Sequence, residues 1–207
     1  MRLGYFGGTF DPPHRGHLAV AIAARDAFGL DRILLAPTGR QPLKPNAASA
    51  AFSDRLAMVL LLCEGQSGLE ASAIDGPRAD GEANYTIDTL QRLQADVSVA
   101  GAVPGTGALF VIVGADSFLD IARWRDPVAL LSIADWIVVS RPGFSAEQLR
   151  AARLPEHDAD RVHLLEGVDI PVSATDVRGR LVAGGDLGGA LSAPVLAYIE
   201  SHHLYGR

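Results

Sequence analysis

Apolar positions along the chain follow two alternating rhythms. Short solid runs at 2–6, 31–36, 69–74, 109–113, 136–139 and 162–165 read as strands buried on both faces. Between them the spacing turns helical. Residues 18, 20, 22, 23 and 27 put one apolar stripe on a helix running to Phe28. The pattern predicts further helices over 52–64, 85–93, 117–123, 126–132 and 145–153, with Ser53 capping the first and Asn84 or Thr86 near the cap of the second. Two helices close the sequence, from about Thr175 to Ala183 and from Ala193 to His202, the latter capped by Ser192 with Pro194 in its first turn. Residues 37–51, 76–84 and 95–107 read as loops. Strands alternating with helices predict an α/β fold: a doubly wound, mostly parallel sheet with helices on both faces. No repeat or linker divides it, so a single domain is expected over 1–207, its last part (about 171–207) helical. Ligands of such sheets bind beyond the C-terminal strand ends. The loops at 7–17, 37–45, 114–116 and 141–143 all follow strands and can share that edge.

The first of these loops carries the most chemistry: Gly7-Gly8-Thr9-Phe10-Asp11-Pro12-Pro13-His14-Arg15-Gly16-His17. A strand, a glycine-rich turn and a helix place backbone N–H groups and the positive end of a helix dipole where an anion can sit. Gly7 and Gly8 permit close approach. His14 and His17, three apart, fall on one face of a first helical turn. Two such histidines suit a polyphosphate, though histidines at a helix start also serve as surface residues or as a metal pair. Asp11 reads as structural, orienting the loop or a histidine. A second anion site is readable in Pro171-Val172-Ser173-Ala174-Thr175-Asp176-Val177-Arg178. Ser173 or Thr175 can cap the helix there, and Arg178, one turn in, can reach the same anion with its planar fork. The dinucleotide fingerprint Gly-x-Gly-x-x-Gly is absent, which removes support for a dehydrogenase.

Composition narrows the partners. A net charge of −6 argues against nucleic acid or an anionic membrane as the main partner. Cys63, the single cysteine, sits in an apolar run and reads as core. No secretory leader or membrane-length apolar run is present, so a cytoplasmic location is expected. Lys44 is the only lysine, in a long loop, which hints at a point-charge role.

Taken together, these strings resemble the nucleotidylyltransferase superfamily. His14, Gly16 and His17 match its His-x-Gly-His core, and 171–178 is similar to its Ile-Ser-x-Thr-x-x-Arg motif with Val172 for isoleucine. The longer first string looks like the bacterial nicotinate-nucleotide adenylyltransferases. So do Asn84-Tyr85-Thr86-Ile87-Asp88-Thr89-Leu90, Gly114-Ala115-Asp116 followed by Trp124, and the ending from Val195 through Tyr205. The resemblance implies a Rossmann-like fold and adenylyl transfer from ATP, carried with Mg²⁺, to nicotinate mononucleotide. It implies that His17 donates to the α-phosphate and that His14 and Arg178 hold the β- and γ-phosphates. Gly7, Gly8, Thr9, Phe10 and Gly16 would line the triphosphate, and Ser173 and Thr175 would build the second phosphate-binding helix start. Lys44 would meet the mononucleotide phosphate, backbone N–H groups at Tyr85 and Thr86 the pyridine carboxylate, Asp116 the ribose hydroxyls, and Trp124 the pyridine face. No protein cage for a metal is implied. The sequence departs from the family at Gln41-Pro42-Leu43-Lys44, where Pro-Pro-His-Lys or Pro-Pro-His-Arg is usual, and at Thr38 and Gly39, where asparagines are usual. Nicotinamide mononucleotide and phosphopantetheine are the alternative acceptors, and a non-catalytic nucleotide sensor is the contrasting class. Monomer and homodimer both remain open.

Overall fold

A computed structural model describes residues 1–42, 48–99, 109–140, 148–149, 159–168 and 171–206. Six parallel strands form one sheet in the order β3-β2-β1-β4-β5-β6. They are β1 (Leu3–Gly8), β2 (Arg32–Pro37), β3 (Leu69–Ala71), β4 (Leu109–Gly114), β5 (Asp135–Val139) and β6 (Val162–Leu165). The helices are α1 (Arg15–Phe28), α2 (Phe52–Cys63), α3 (Thr86–Val99), α4 (Ala115–Leu119), α5 (Pro127–Ile133), α6 (Ala174–Ala183) and α7 (Ala193–Ser201). Among the described residues no helix is long and apolar enough to cross a membrane.

Strand alternation divides the core in two. Ile33 and Leu35 of β2, Phe110 and Ile112 of β4, and Ile137 and Val139 of β5 face one cluster. It is completed by Ala21 and Ala24 of α1, Met58 and Leu62 of α2, Val177 and Leu181 of α6, and Val195 and Ile199 of α7. Leu34, Ala36, Leu109, Val111, Val113, Trp136 and Val138 face the other, against Ile87, Leu90 and Leu93 of α3, Phe118 of α4 and Leu130 and Leu131 of α5. A period of two in fully apolar strands therefore builds a sheet covered on both faces. Strand order reverses between β1 and β4, and the crevice beyond their C-terminal ends is where such sheets bind ligands. Cys63 is buried, and burial pushes its thiol up to about 12.

Several boundaries differ from the sequence reading. β1 continues through Gly7 and Gly8, because parallel pairing with Ala36 and Pro37 carries the ladder past the apolar run. Ser53 lies inside α2, which starts after Ala51 without a side-chain cap. α3 runs on to Val99, so 95–99 are helical. Ser192 holds the cap position of α7 but makes no capping bond, and its buried hydroxyl has no partner among the described residues. The stretch 117–123 is split between α4 and a 3₁₀ turn at Ile121–Arg123. The predicted helix over 145–153 lies outside the described residues except for Gln148 and Leu149, both helical. The loop residues 141–143 and Lys44 also lie outside them.

Candidate active site

A cavity of about 1640 Å³ opens at the C-terminal edge of the sheet. Its walls bring together Gly7, Gly8, Thr9, Phe10, His14, Gly16 and His17 from the first loop, Tyr85 before α3, and Ser173, Thr175 and Arg178 at the start of α6. Residues far apart in sequence thus meet where strand order reverses, which is what the two anion-site readings require.

The two histidines are locked to one another. His14 is the N-cap of α1 and His17 its third helical residue. The His17 backbone N–H donates to His14 Nδ1 at 3.4 Å, and the His14 backbone N–H donates to His17 Nδ1 at 3.2 Å. This is a capping box in which both side chains are imidazoles rather than a hydroxyl and a carboxamide or carboxylate. Because each Nδ1 accepts, each neutral ring carries its proton on Nε2. The rings stack with centroids 3.7 Å apart, and Phe10 lies 4.7 Å from His17. A Cβ on Gly16 would stand 2.9 Å from His14 Nδ1, so the stack requires glycine there. Burial lowers the His14 pKa to about 4; burial, and then the neighbouring His14, lowers that of His17 well below its usual value. Both rings are therefore neutral near pH 7, two N–H donors without net charge.

Arg178 approaches from α6. Its Nη1 donates to the main-chain oxygen of Asp11 at 2.6 Å and its Nη2 to Thr175 Oγ1 at 3.4 Å. Ser173 is the N-cap of α6, its hydroxyl accepting the Asp176 N–H at 3.1 Å. Of the two capping options it is the one used, which leaves Thr175 as a partner of Arg178.

Two buried charges also line the cavity: Arg55, which the sequence reading left unassigned, and Asp11, read there as structural. Arg55 of α2 is 2% exposed and donates to three carbonyls: Thr9 (2.6 Å), Thr38 (3.0 Å from both Nη atoms) and Ala50 (3.2 Å). Burial lowers its pKa and the Asp11 carboxylate opposes that shift, so the guanidinium stays charged. Asp11 is equally buried and accepts the N–H groups of Ser49 (2.7 Å) and Ala50 (3.1 Å) and the phenol of Tyr205 (2.7 Å). An arginine within the helical run 52–63 was the available signal for the first hub. Nothing local marks its three carbonyl partners, which come from the loop after β1 and from both ends of the loop between β2 and α2.

On the other side, Asn84 joins two loops. Its Oδ1 accepts the Arg40 N–H at 2.9 Å, its Nδ2 donates to Gly76 O at 2.8 Å, and its own N–H donates to Arg40 O at 2.9 Å. Its side chain is thus a loop tie rather than a helix cap. Asp75 accepts from Thr89 Oγ1 (2.9 Å) and Tyr5 (3.3 Å), fixing the same region to β1 and α3.

Three predicted site residues do not line the cavity. Thr86 opens α3, one residue beyond the cavity-lining Tyr85. Asp116 is exposed on α4 between the lining residues Gly114 and Ser117. Trp124 is half-buried and meets Trp136 edge-on, with centroids 6.0 Å apart. The Arg125 guanidinium lies over the Tyr85 ring, 4.6 Å from its centroid.

Comparison with known proteins agrees with this architecture. A family model described as Cytidylyltransferase-like matches residues 5–180. A protein of Roseiflexus sp. (strain RS-1), named "Probable nicotinate-nucleotide adenylyltransferase", is 39% identical over 98% of this chain and 97% of its own length. One of the same name from Solibacter usitatus (strain Ellin6076) is 39% identical over 99% of this chain and 100% of its own. The structure of Plasmodium falciparum nicotinic acid mononucleotide adenylyltransferase complexed with APC shares the fold, with a TM-score of 0.74 at 16% identity over 99% of this chain and 96% of that one. Whole-length similarity at this level, with the Rossmann-like fold and the paired motifs in one cavity, shows that the chain belongs to the nicotinate-nucleotide adenylyltransferase family.

Proposed function

We propose that the protein transfers the adenylyl group of ATP to nicotinate mononucleotide. The 5′-phosphate oxygen of the mononucleotide attacks the α-phosphorus, the bond from that phosphorus to the bridging oxygen of the leaving group breaks, and deamido-NAD and pyrophosphate result. The observation that carries this reading is the His14–His17 capping box, whose two Nε2–H donors belong to rings lining the same cavity as Arg178. No protein nucleophile is needed, so catalysis is positioning plus charge stabilisation. His17 donates to the α-phosphate oxygens as charge builds there. His14 and Arg178 hold the β- and γ-phosphates, the cavity-lining stretch Gly7–Phe10 and Gly16 flank the chain, and the α6 start at Ser173 and Thr175 receives the outer phosphates. The start of α3 after Tyr85 presents N–H groups, including that of Thr86, to the pyridine carboxylate. Trp124 offers its ring to the pyridine, Asp116 binds ribose hydroxyls, and Lys44 meets the acceptor phosphate.

Among the described residues no group of three or more His, Cys, Asp or Glu is placed to hold a metal, and the Asp11 carboxylate already serves three donors. Magnesium entering with ATP fits this site as an ion held by phosphate oxygens and water, where it neutralises phosphate charge.

The test follows the label. With ATP labelled at the α-phosphorus and nicotinate mononucleotide, label is expected in a dinucleotide product and none on the protein. Label retained on the polypeptide, or no dinucleotide at all, contradicts the proposal.

A further inference from the structure

Four segments meet at Asp11, which is 3% exposed. Its own loop lines the cavity. Its Oδ2 accepts the Ser49 N–H at 2.7 Å, and its Oδ1 accepts both the Ala50 N–H at 3.1 Å and the Tyr205 hydroxyl at 2.7 Å. Its main-chain oxygen accepts Arg178 Nη1. Tyr205 reaches this point from a 3₁₀ turn at Leu204–Gly206. Its φ is 57°, and that of His203 is 51°, a region non-glycine residues keep only where the surroundings hold them. Phe10, directly before Asp11, is also left-handed at φ 49° and is 1% exposed. Both ends of the contact are thus held against local preference. Burial and the Asp11 carboxylate raise the phenol's pKa, so it remains a donor.

The contact also decides where a charge points. Arg178 Nη1 lies 3.8 Å from Asp11 Oδ2. With the phenol removed, Oδ1 retains only the longer Ala50 bond, and the carboxylate is freer to turn toward Arg178. That would tilt the guanidinium within the cavity and loosen Ser49 and Ala50, which line the same cavity.

We propose that Tyr205 is a positioning residue for adenylyl transfer: through the Asp11 carboxylate its hydroxyl fixes the loop 7–17, residues 49–50 and Arg178 in one arrangement. The proposal rests on the site reading given above. It makes the turn after α7 part of the machinery although Tyr205 touches no reacting atom.

Tyr205→Phe tests it by two readouts. At saturating substrates, well below the melting temperature, kcat is expected to fall about tenfold while the KM for ATP moves less than about twofold, as expected when orientation is lost and binding kept. Amide exchange at Ser49 and Ala50 is expected to accelerate in the same variant. Asp11→Ala combined with Tyr205→Phe should be no slower than Asp11→Ala alone, since either change removes the same Tyr205–Asp11 bond. A lower melting temperature with unchanged kcat would overturn the proposal, as would multiplicative losses in the double variant. If the unaltered protein proves inactive with every acceptor, the function reading fails separately, and exchange at 49–50 alone judges the Tyr205 link: protection kept in Tyr205→Phe overturns it.

Discussion

The Asn84 amide oxygen lies 2.8 Å from where a Cβ on Gly39 would sit, and the Pro77 nitrogen lies 2.6 Å from the same point. Gly39 and Asn84 therefore form a matched pair: the absent side chain of one makes room for the bridging amide of the other. Gly39→Ala must push either Asn84 off Arg40 and Gly76 or the backbone off its path. Overpacking of this kind costs about 1–3 kcal/mol. Urea unfolding should show that loss, and Asn84→Ala should relieve only part of it, because the Pro77 nitrogen and the Gly76 carbonyl carbon (2.8 Å) stay in place.

Arg55 should be the least replaceable buried charge. Truncating it leaves the carbonyls of Thr9, Thr38 and Ala50 without their donor and Asp11 with Arg178 as its remaining nearby cation. Arg55→Met is expected to cost about 3–5 kcal/mol, since each buried carbonyl left without a donor costs about 1–3 kcal/mol. Arg55→Lys should recover little, because one ammonium cannot reproduce a planar fork serving three carbonyls. Chemical denaturation of the two variants measures this directly.

The histidine pair makes folding stability depend on pH with a definite sign. Both imidazoles have pKa values lowered by burial, so the unfolded chain binds protons more readily than the folded one. Their neutral state is fully compatible with the fold above about pH 6.5. Stability is lost as the pH falls from there toward about 4, where His14 itself titrates. From His14 alone the loss by pH 4 is on the order of 3 kcal/mol, with His17 adding to it. Melting temperatures across this range should fall more steeply for the unaltered protein than for His14→Gln; equal slopes would show that the pair does not titrate this way.

Loss of His17 removes one half of the capping box and, above all, a donor for the chemistry. His17→Ala is expected to lower kcat about a hundredfold, the scale for removing one oxyanion donor. Turnover near that of the unaltered protein would remove His17 from the transition state.

How far sequence reading reaches is visible at particular residues. The alternation that assigns Ile33 and Leu35 to one core cluster and Leu34 and Ala36 to the other is written in the strands themselves, and the sheet follows from it. His14, His17, Ser173 and Arg178 were legible because glycine-rich turns and helix starts announce anion sites locally, and the family resemblance tied them together. Arg55, Asp75 and the Tyr205–Asp11 bond were not. Their partners lie as much as 194 residues away, and only the folded chain brings such groups together. Boundaries moved for the same reason: β1 runs through two glycines because β2 pairs with them, not because glycine favours strands.

Pyrophosphate release, measured with ATP and Mg²⁺ in parallel reactions containing nicotinate mononucleotide, nicotinamide mononucleotide or phosphopantetheine, tests the central claim most directly. The account predicts rapid release with the nicotinate form and much slower release with the other two. Preference for the amide would mean that the loop around Thr38 and Gly39 shapes a different pyridine pocket. ATP binding without release in any of the three would contradict the proposed reaction and leave a nucleotide sensor.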